Sequence, residues 1–244
     1  MKHVAGMRPV LHAEWTKLRT SPGTFALLVA VVVGTLAVGA SSAALSDPAP
    51  GADLPKLSLT GVLLGQAVVA IVAVLAIGDE YASGLVTVTF AAMPGRGRVL
   101  AAKATVVAAV LTVASALAVA GSVVAGWLLL PAGAVAARPA VGSLLYLVLV
   151  GLLSLGVATC IRGPAAGIGT VLVLLYALPI VNAAVADPTW QRRLERIEPA
   201  SAGLAMQATV ADPVIGPWKG LGVLALWSLG ALLAGAVLLE RRDA

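Results

Sequence analysis

Charged residues are scarce in this sequence, and their scarcity excludes an ordinary water-soluble domain. Asp, Glu, Lys and Arg make up 11% of the 244 residues, whereas soluble domains carry about 25%. Hydrophobic residues make up 60%, and the mean hydropathy is +1.01. Because the apolar residues form long runs rather than short alternating segments, the composition predicts an all-α polytopic membrane protein.

Residue types that carry catalysis or bind metals are also few. Cys160 is the only cysteine, so no disulfide can form within the chain. Both histidines, His3 and His12, precede the first apolar run, and neither an HExxH motif nor a P-loop motif occurs. The sequence therefore predicts no enzyme, no metal site and no bound cofactor. Energy for any uphill transport must come from another polypeptide.

Six apolar segments are long enough to cross a bilayer, which requires about 20 residues. They are residues 24–45, 59–77, 104–130, 141–161, 165–186 and 220–239. With these bounds, no span contains Asp, Glu, Lys, Arg or His. Ion-coupled carriers usually need such a residue within the membrane, so the sequence disfavours a self-powered carrier.

The basic residues predict the orientation, because cytoplasmic loops are enriched in Lys and Arg. Ten of the 16 bases fall on the side of the N-terminus. They are Lys2, Arg8, Lys17, Arg19, Arg96, Arg98, Lys103, Arg162, Arg241 and Arg242. We therefore expect both termini in the cytoplasm. The same bias accounts for the net charge of +5 without a nucleic-acid partner.

Residues 1–23 are polar and basic and predict an amphipathic helix on the cytoplasmic membrane surface. Leu11, Trp15 and Leu18 fall on one face at helical spacing. The polar face is assigned to His12, Glu14, Lys17 and Arg19. A disordered basic tail is the alternative, which the apolar stripe disfavours.

Residues 78–103 form the longest polar interruption between apolar runs. The residues that could meet a soluble partner there are Glu80, Gly84, Pro94, Arg96, Arg98 and Lys103. Gly84 is expected to permit close approach of another segment, and Pro94 to force a turn. The bases can pair with phosphate headgroups or with acids on a protein partner, and the sequence leaves both options open.

Residues 187–218 form a second long connection, predicted to lie outside the cell. Trp190, Leu194 and Ile197 predict a short amphipathic helix, and the apolar stretch 204–210 is too short to cross the membrane. This connection is either a re-entrant lid or gate, or a passive loop at the membrane interface.

Two amides, Gln66 and Asn182, are the strongest polar groups within the predicted spans. An amide without a partner in hydrocarbon is costly. They therefore either join helices by hydrogen bonds or line a polar path, and the two readings remain open.

The order of these motifs resembles the ABC-2 class of ABC transporter permeases, over essentially the whole chain. Residues 78–103, with Glu80-Tyr81-x-x-Gly84, Pro94-x-Arg96 and Lys103, resemble that family's cytoplasmic coupling loop. The segment 12–19, with Glu14, Trp15, Lys17 and Leu18, resembles its elbow helix. Residues 199–203 and the basic C-terminus are similar to those of small actinobacterial members. One departure is that Leu85-Val86-Thr87-Val88 lacks an arginine often found there.

The resemblance implies six transmembrane helices, an elbow helix, a cytoplasmic coupling helix and an external re-entrant or amphipathic loop. It implies that residues 78–103 dock on a separate ATP-binding subunit, which holds ATP and magnesium. A second permease chain, identical or not, would pair with this one in the cell membrane. Spans two and five would then border the central cleft, which places Gln66 and Asn182 near a path or dimer interface.

Most members of that class are exporters, and the apolar spans favour a lipophilic or amphipathic substrate such as a drug, lipid or peptide. A non-transporting membrane anchor or sensor of a soluble complex is the alternative. A neighbouring gene for a P-loop ATPase would favour the permease, and a neighbouring sensor kinase would favour the anchor.

Overall fold

The computed structural model describes residues 7–48, 51–92, 95–130, 136–209 and 214–241. All the regular elements in these ranges are helices, which confirms the predicted all-α class. Parts of four predicted features lie outside the described residues: residues 1–6 of the N-terminal segment, Pro94 of the polar segment, Val210 of the apolar stretch 204–210, and the chain end beyond Arg241.

The first half of the chain contains six helices. They are α1 (Met7–Thr20), α2 (Pro22–Leu45), α3 (Leu54–Ser58), α4 (Val62–Ala82), α5 (Leu85–Ala92) and α6 (Arg96–Leu129). The second half begins with α7 (Ala137–Ile161), α8 (Pro164–Leu172), a π-helical turn (Val173–Ala177) and α9 (Leu178–Ala183). It ends with α10 (Pro188–Ile197), α11 (Pro199–Leu204), a 3₁₀ turn (Ala205–Gln207) and α12 (Pro217–Arg241).

Among the described residues, six helices are long and apolar enough to cross a membrane. They are α2, α4, α6, α7, the composite helix Pro164–Ala183 and α12. Two of these helices run beyond the predicted spans into the polar segment 78–103. α4 extends to Ala82 and α6 begins at Arg96. Glu80 and Lys103, which the sequence pattern assigned to a loop outside the spans, therefore lie on candidate spans.

Local sequence signals explain where several helices begin and end. Ser21 accepts a hydrogen bond from the backbone N–H of Thr24 and precedes Pro22 in the first turn of α2. Asp187 caps α10 in the same way, accepting from the N–H of Thr189 at 2.7 Å. Arg162 has φ of 62°, so its left-handed conformation ends α7 before Pro164 starts α8.

The bundle is built around α4 and α7, the two candidate spans with the largest buried share of their apolar window, 56% each. α7 packs along α4, α6 and α12, while α2 packs against α4 and α6. Small residues allow close contact, as membrane helices require. A Cβ on Gly156 of α7 would lie 2.6 Å from the carbonyl carbon of Ala231 in α12. The backbones of these two helices therefore touch directly.

Short elements gather at the two ends of the bundle. One end, called here the α1 end, carries α1, α5 and the last turn of α12, where Arg96 Nη1 donates to the carbonyl of Leu239 at 2.8 Å. The opposite end, the α3 end, carries α3, α10 and α11. There the Asp53 carboxylate accepts from both the N–H and the hydroxyl of Thr209, at 2.6 and 2.7 Å.

Candidate functional site

Four charged side chains meet at the α1 end and form what we call the ionic cluster: Glu14, Lys17, Glu80 and Lys103. Lys103 Nζ lies 2.5 Å from Glu14 Oε2 and 2.9 Å from Glu80 Oε1. Lys17 Nζ lies 2.9 Å from Glu14 Oε1 and 2.8 Å from Glu80 Oε1. Each lysine therefore bridges both glutamates, and the cluster joins α1, α4 and α6.

Lys103 is the most deeply buried cation of the cluster. Its side chain is 4% exposed, and that of Glu14 is 3% exposed. The ammonium also donates to the carbonyl of Ala76 at 2.9 Å, so its three N–H groups all have acceptors. A buried charge with every partner in place is tolerated, but removing one partner from such a pair costs about 3–5 kcal/mol.

Lys17 lies at the open edge of the cluster, with its side chain 39% exposed. Burial alone would lower its pKa. The hydrogen bonds to Glu80 and Glu14, with their negative charges, outweigh burial and raise the pKa of Lys17 above its ordinary value of 10.5. The ammonium form of Lys17 is therefore the form that the folded chain favours.

A cavity of about 690 Å³ lies beside the ionic cluster. Its walls come from α1, the first turn of α2, the end of α4 and α5. Lys17, Glu80 and Lys103 line it together with apolar side chains that include Leu75 and Val88. The helices separate at this point, so the cluster is the main polar connection between α1 and the two spans behind it.

The other described residues of the predicted coupling segment, Gly84, Arg96 and Arg98, do not join the ionic cluster. Gly84 has φ of +73° and nothing within 4 Å of a built Cβ. Among the described residues of this chain no other segment approaches it closely, so close approach of a partner segment at Gly84 stays a prediction. Its role is to adopt the left-handed conformation between α4 and α5. Arg96 joins the end of α12 through Leu239, and Arg98 is exposed.

α1 is oriented differently from the predicted amphipathic helix. Its buried residues are Val10 and Glu14, although the sequence pattern assigned Glu14 to the polar face. Trp15, assigned to the apolar face, is 46% exposed on the chain surface, and its contact with the membrane surface stays a prediction. Leu11 and Leu18 are partly buried against apolar clusters. The pattern failed because a lysine 89 positions away supplies a partner for Glu14 inside the bundle.

The two predicted amides lie in separate polar contacts towards the α3 end. Gln66 is 1% exposed, and its Oε1 accepts a hydrogen bond from the Tyr146 hydroxyl. This contact joins α4 to α7, as the interpretation of Gln66 as a link between helices requires. Asn182 is 5% exposed, and its Nδ2 lies 3.5 Å from Glu198 Oε2.

Sequence reasoning missed three polar residues near these amides. Tyr146 and Tyr176 each lie within a predicted span, and the Tyr176 hydroxyl donates to the carbonyl of Leu63. Tyr176 lies in the π-helical turn, a feature common at functional sites. Glu198 is 6% exposed although it lies in a charged segment. Tyrosine in an apolar span was a usable signal, whereas nothing in the pattern indicated that Glu198 is buried.

No group of His, Cys, Asp or Glu in the described ranges could hold a metal ion. The ionic cluster connects α1, α4 and α6 mechanically. Because its four side chains hold three helices together, a displacement of α5 or of the adjoining end of α4 would be transmitted to α1 and α6.

Comparison with known proteins gives one family match. The sequence model described as "ABC-2 family transporter protein" matches residues 10–185. The matched region starts in α1, contains the whole ionic cluster and runs past the end of α9. A search of curated proteins found no match.

Proposed function

Because the chain belongs to the ABC-2 family of transporter proteins, a family of membrane permeases that work with an ABC ATP-binding subunit, we propose that it is the permease of an exporter. The ionic cluster is the observation that carries this proposal. It lies where α1, α4 and α6 meet, beside the helix α5 that follows Gly84. In the proposed mechanism ATP and magnesium bind the partner, and the segment 78–103 receives its movement.

The cluster suits this task because it joins the end of α4, next to the partner-facing segment, directly to α1 and α6. Glu80 lies in the last turn of α4, two residues before that helix ends. It is held by Lys103 in the second turn of α6 and by Lys17 in α1. A push on α5 would therefore tilt α4 and α6 together and carry α1 with them. Arg96 would pass the same movement to the end of α12.

We propose that two permease chains pair in the cell membrane, with both termini in the cytoplasm. The distribution of bases supports this orientation. The fifth candidate span supports the pairing, because only 17% of its most apolar window is buried within the chain. Its exposed side chains include Val173, Leu178, Ile180 and Val181. A cleft bordered by such side chains suits a lipophilic or amphipathic substrate such as a drug, lipid or peptide.

The test is reconstitution of the permease with a candidate ATP-binding subunit in proteoliposomes. We expect the permease to bind that subunit and to stimulate its ATP hydrolysis, and a fluorescent amphiphile to move across the membrane only with ATP. Glu80→Gln should leave the complex assembled but reduce transport per ATP hydrolysed. Asp79→Asn is the matched control, since Asp79 is the exposed neighbour of Glu80, and it should transport normally.

Failure to bind or stimulate any ATP-binding subunit would overturn the proposal. Binding without movement of any tested amphiphile would instead support the anchor or sensor interpretation. If Glu80→Gln fails to fold, Arg96→Ala provides a second test, because it removes the contact to the end of α12 described above. Normal coupling in a folded Glu80→Gln variant would show that the cluster does not transmit the movement, and normal coupling in Arg96→Ala would show that the contact with the end of α12 does not.

A further inference from the structure

Glu198 is the joint between α10 and α11, on the opposite end of the bundle from the ionic cluster. Its N–H donates to the carbonyl of Leu194 at 2.9 Å, which closes α10, and its carbonyl accepts from Ala202 at 3.1 Å, which opens α11. The residue is only 6% exposed. Any change in the charge of this side chain therefore acts at the point where the connection between the last two spans turns.

The Glu198 carboxyl and the Asn182 amide face each other but leave two acceptors unused. The Asn182 Nδ2 donates to Glu198 Oε2 at 3.5 Å, the outer limit of a hydrogen bond. Asn182 Oδ1 and Glu198 Oε1 are buried, and neither has a hydrogen-bond partner in the part of the chain that the structure describes. Two buried acceptors on a contacting pair of side chains require a donor, and the smallest donor is a proton on the carboxyl group.

Among the described residues, no side chain that interacts with Glu198 carries a positive charge. The side chains that interact with it are Glu195 from α10, Ser201 from α11, Asn182 from α9 and Tyr146 from α7. The nearby contact from α12 is the uncharged Trp227, whose Nε1 donates to the carbonyl of Ile197. Within the described ranges, no ion pair involves Glu198.

The electrostatics agree with this geometry. Burial raises the pKa of the Glu198 carboxyl, and the charge of Glu195 acts in the same direction. The hydrogen bonds of Ser201 and Asn182 act in the opposite direction but do not outweigh burial. The neutral form is therefore favoured over a wider pH range in the folded chain than in a solvated glutamate.

We propose that Glu198 and Asn182 form a proton-binding site, and that a proton bound there fastens the α10–α11 joint to α9. One O–H bond forms on the carboxylate, no bond breaks and no electron moves. The neutral carboxyl can then donate to an amide oxygen that otherwise has no partner. This inference goes beyond the proposed transport function and needs no ATP-binding subunit.

The direction of the pH effect follows from linkage. A carboxyl whose pKa is raised on docking stabilises the docked joint fully below the ordinary pKa of glutamate. That stabilisation is lost as the pH rises through the raised value. Acidic pH therefore stabilises the docked α10–α11 joint, and neutral or alkaline pH destabilises it.

Hydrogen exchange of the purified chain in lipid nanodiscs, followed between pH 5 and pH 9, tests this site. Glu198→Gln mimics the protonated form and provides the reference at each pH. We expect the protection of the backbone amides in α11, relative to that variant, to fall by up to about tenfold per pH unit above the ordinary glutamate pKa. Glu195→Gln is the matched control on the same helix, and it should retain the pH dependence.

A constant ratio of protection between the wild-type chain and Glu198→Gln over the whole pH range would overturn the proposal. Replacing choline by sodium at fixed pH provides a second check. A change in protection larger than the effect of pH would also overturn the proposal, because the site would then bind a metal cation. Should Glu198→Gln fail to fold, Glu198→Asp keeps the carboxyl. In the Glu198→Asp variant, the protection of the α11 amides must then still fall with rising pH after correction for the intrinsic exchange rate.

Discussion

Glu14 of α1 and Lys103 of α6 form an ion pair of 2.5 Å, although 89 positions separate them in the chain. Both side chains are less than 5% exposed. Two charges buried in a membrane bundle are stable only because each completes the hydrogen bonds of the other. Glu80 and Lys17 form further ion pairs beside them. The pair fixes the position of the surface helix α1 against the third candidate span.

Lys103→Met should be strongly destabilising, because it leaves Glu14 buried without its closest cation. We expect a loss of about 3–5 kcal/mol in the free energy of unfolding. The measurement is denaturant unfolding of the purified chain in detergent micelles. Lys56→Met is the matched control, since Lys56 is exposed at the α3 end, and its effect should be within about 0.5 kcal/mol. Equal effects of the two substitutions would show that the cluster does not stabilise the fold.

A double-mutant cycle isolates the pair itself. Glu14→Gln combined with Lys103→Met should cost less than the sum of the two single substitutions, because the second removes a charge that the first has already left unpaired. Coupling energies between contacting groups are about 0.5–3 kcal/mol. Additive effects in the unfolding free energy would contradict the contact between the two side chains.

Tyr146→Phe should cost about 1–3 kcal/mol, because it removes the hydroxyl that donates to the buried Gln66 Oε1. The combination with Gln66→Leu should recover much of that loss, since replacing both polar partners leaves no unsatisfied acceptor. Thermal unfolding of the two variants in the same micelles compares them. A double variant less stable than Tyr146→Phe alone would show that Gln66 has a role beyond joining α4 to α7.

Gly156→Ala should separate α7 from α12, because the new Cβ would lie 2.6 Å from backbone atoms of Ala231 and Leu232. Overpacking of this kind costs about 1–3 kcal/mol. Gly230→Ala is the matched control in α12, where nothing lies within 4 Å of a built Cβ, and it should be neutral or slightly stabilising. Melting temperatures of the two variants decide the point, and a stable Gly156→Ala chain would contradict the close approach.

Lys17 should make the fold sensitive to alkaline pH. Its pKa is raised in the folded chain by Glu80 and Glu14 against the effect of burial. The stabilisation from its ammonium is therefore complete below its ordinary pKa of 10.5, and it is lost as the pH rises through the raised value. Because the side chain is partly exposed, the effect should be at most about 1 kcal/mol.

The comparison for Lys17 is the unfolding free energy between pH 8 and pH 12. Lys17→Gln should show a shallower decline than the wild-type chain, whereas Lys56→Gln should match the wild-type slope. Identical slopes in all three proteins would mean that the folded chain does not favour the ammonium form of Lys17.

The sequence alone determined the helical membrane class and the approximate position of the six candidate spans. These follow from local composition, because any run of about 20 apolar residues must satisfy its own backbone hydrogen bonds in hydrocarbon. The sequence also identified Glu80, Arg96, Lys103 and Gln66 as candidates, because polar residues are rare among the apolar residues of this chain. The match to the ABC-2 family over residues 10–185 agrees with the resemblance found from those motifs.

Only the tertiary structure decided which of those residues meet. Helical periodicity assigned Glu14 to a solvated face because it considers one helix at a time, whereas its burial depends on a lysine in another helix. Periodicity also did not show that Lys103 belongs to a helix rather than to a loop. Nor did it show that Glu198 is buried, because the neighbours of Glu198 in sequence are charged. A charge buried by a distant partner leaves no local pattern, since the energy that permits it comes from the contact itself.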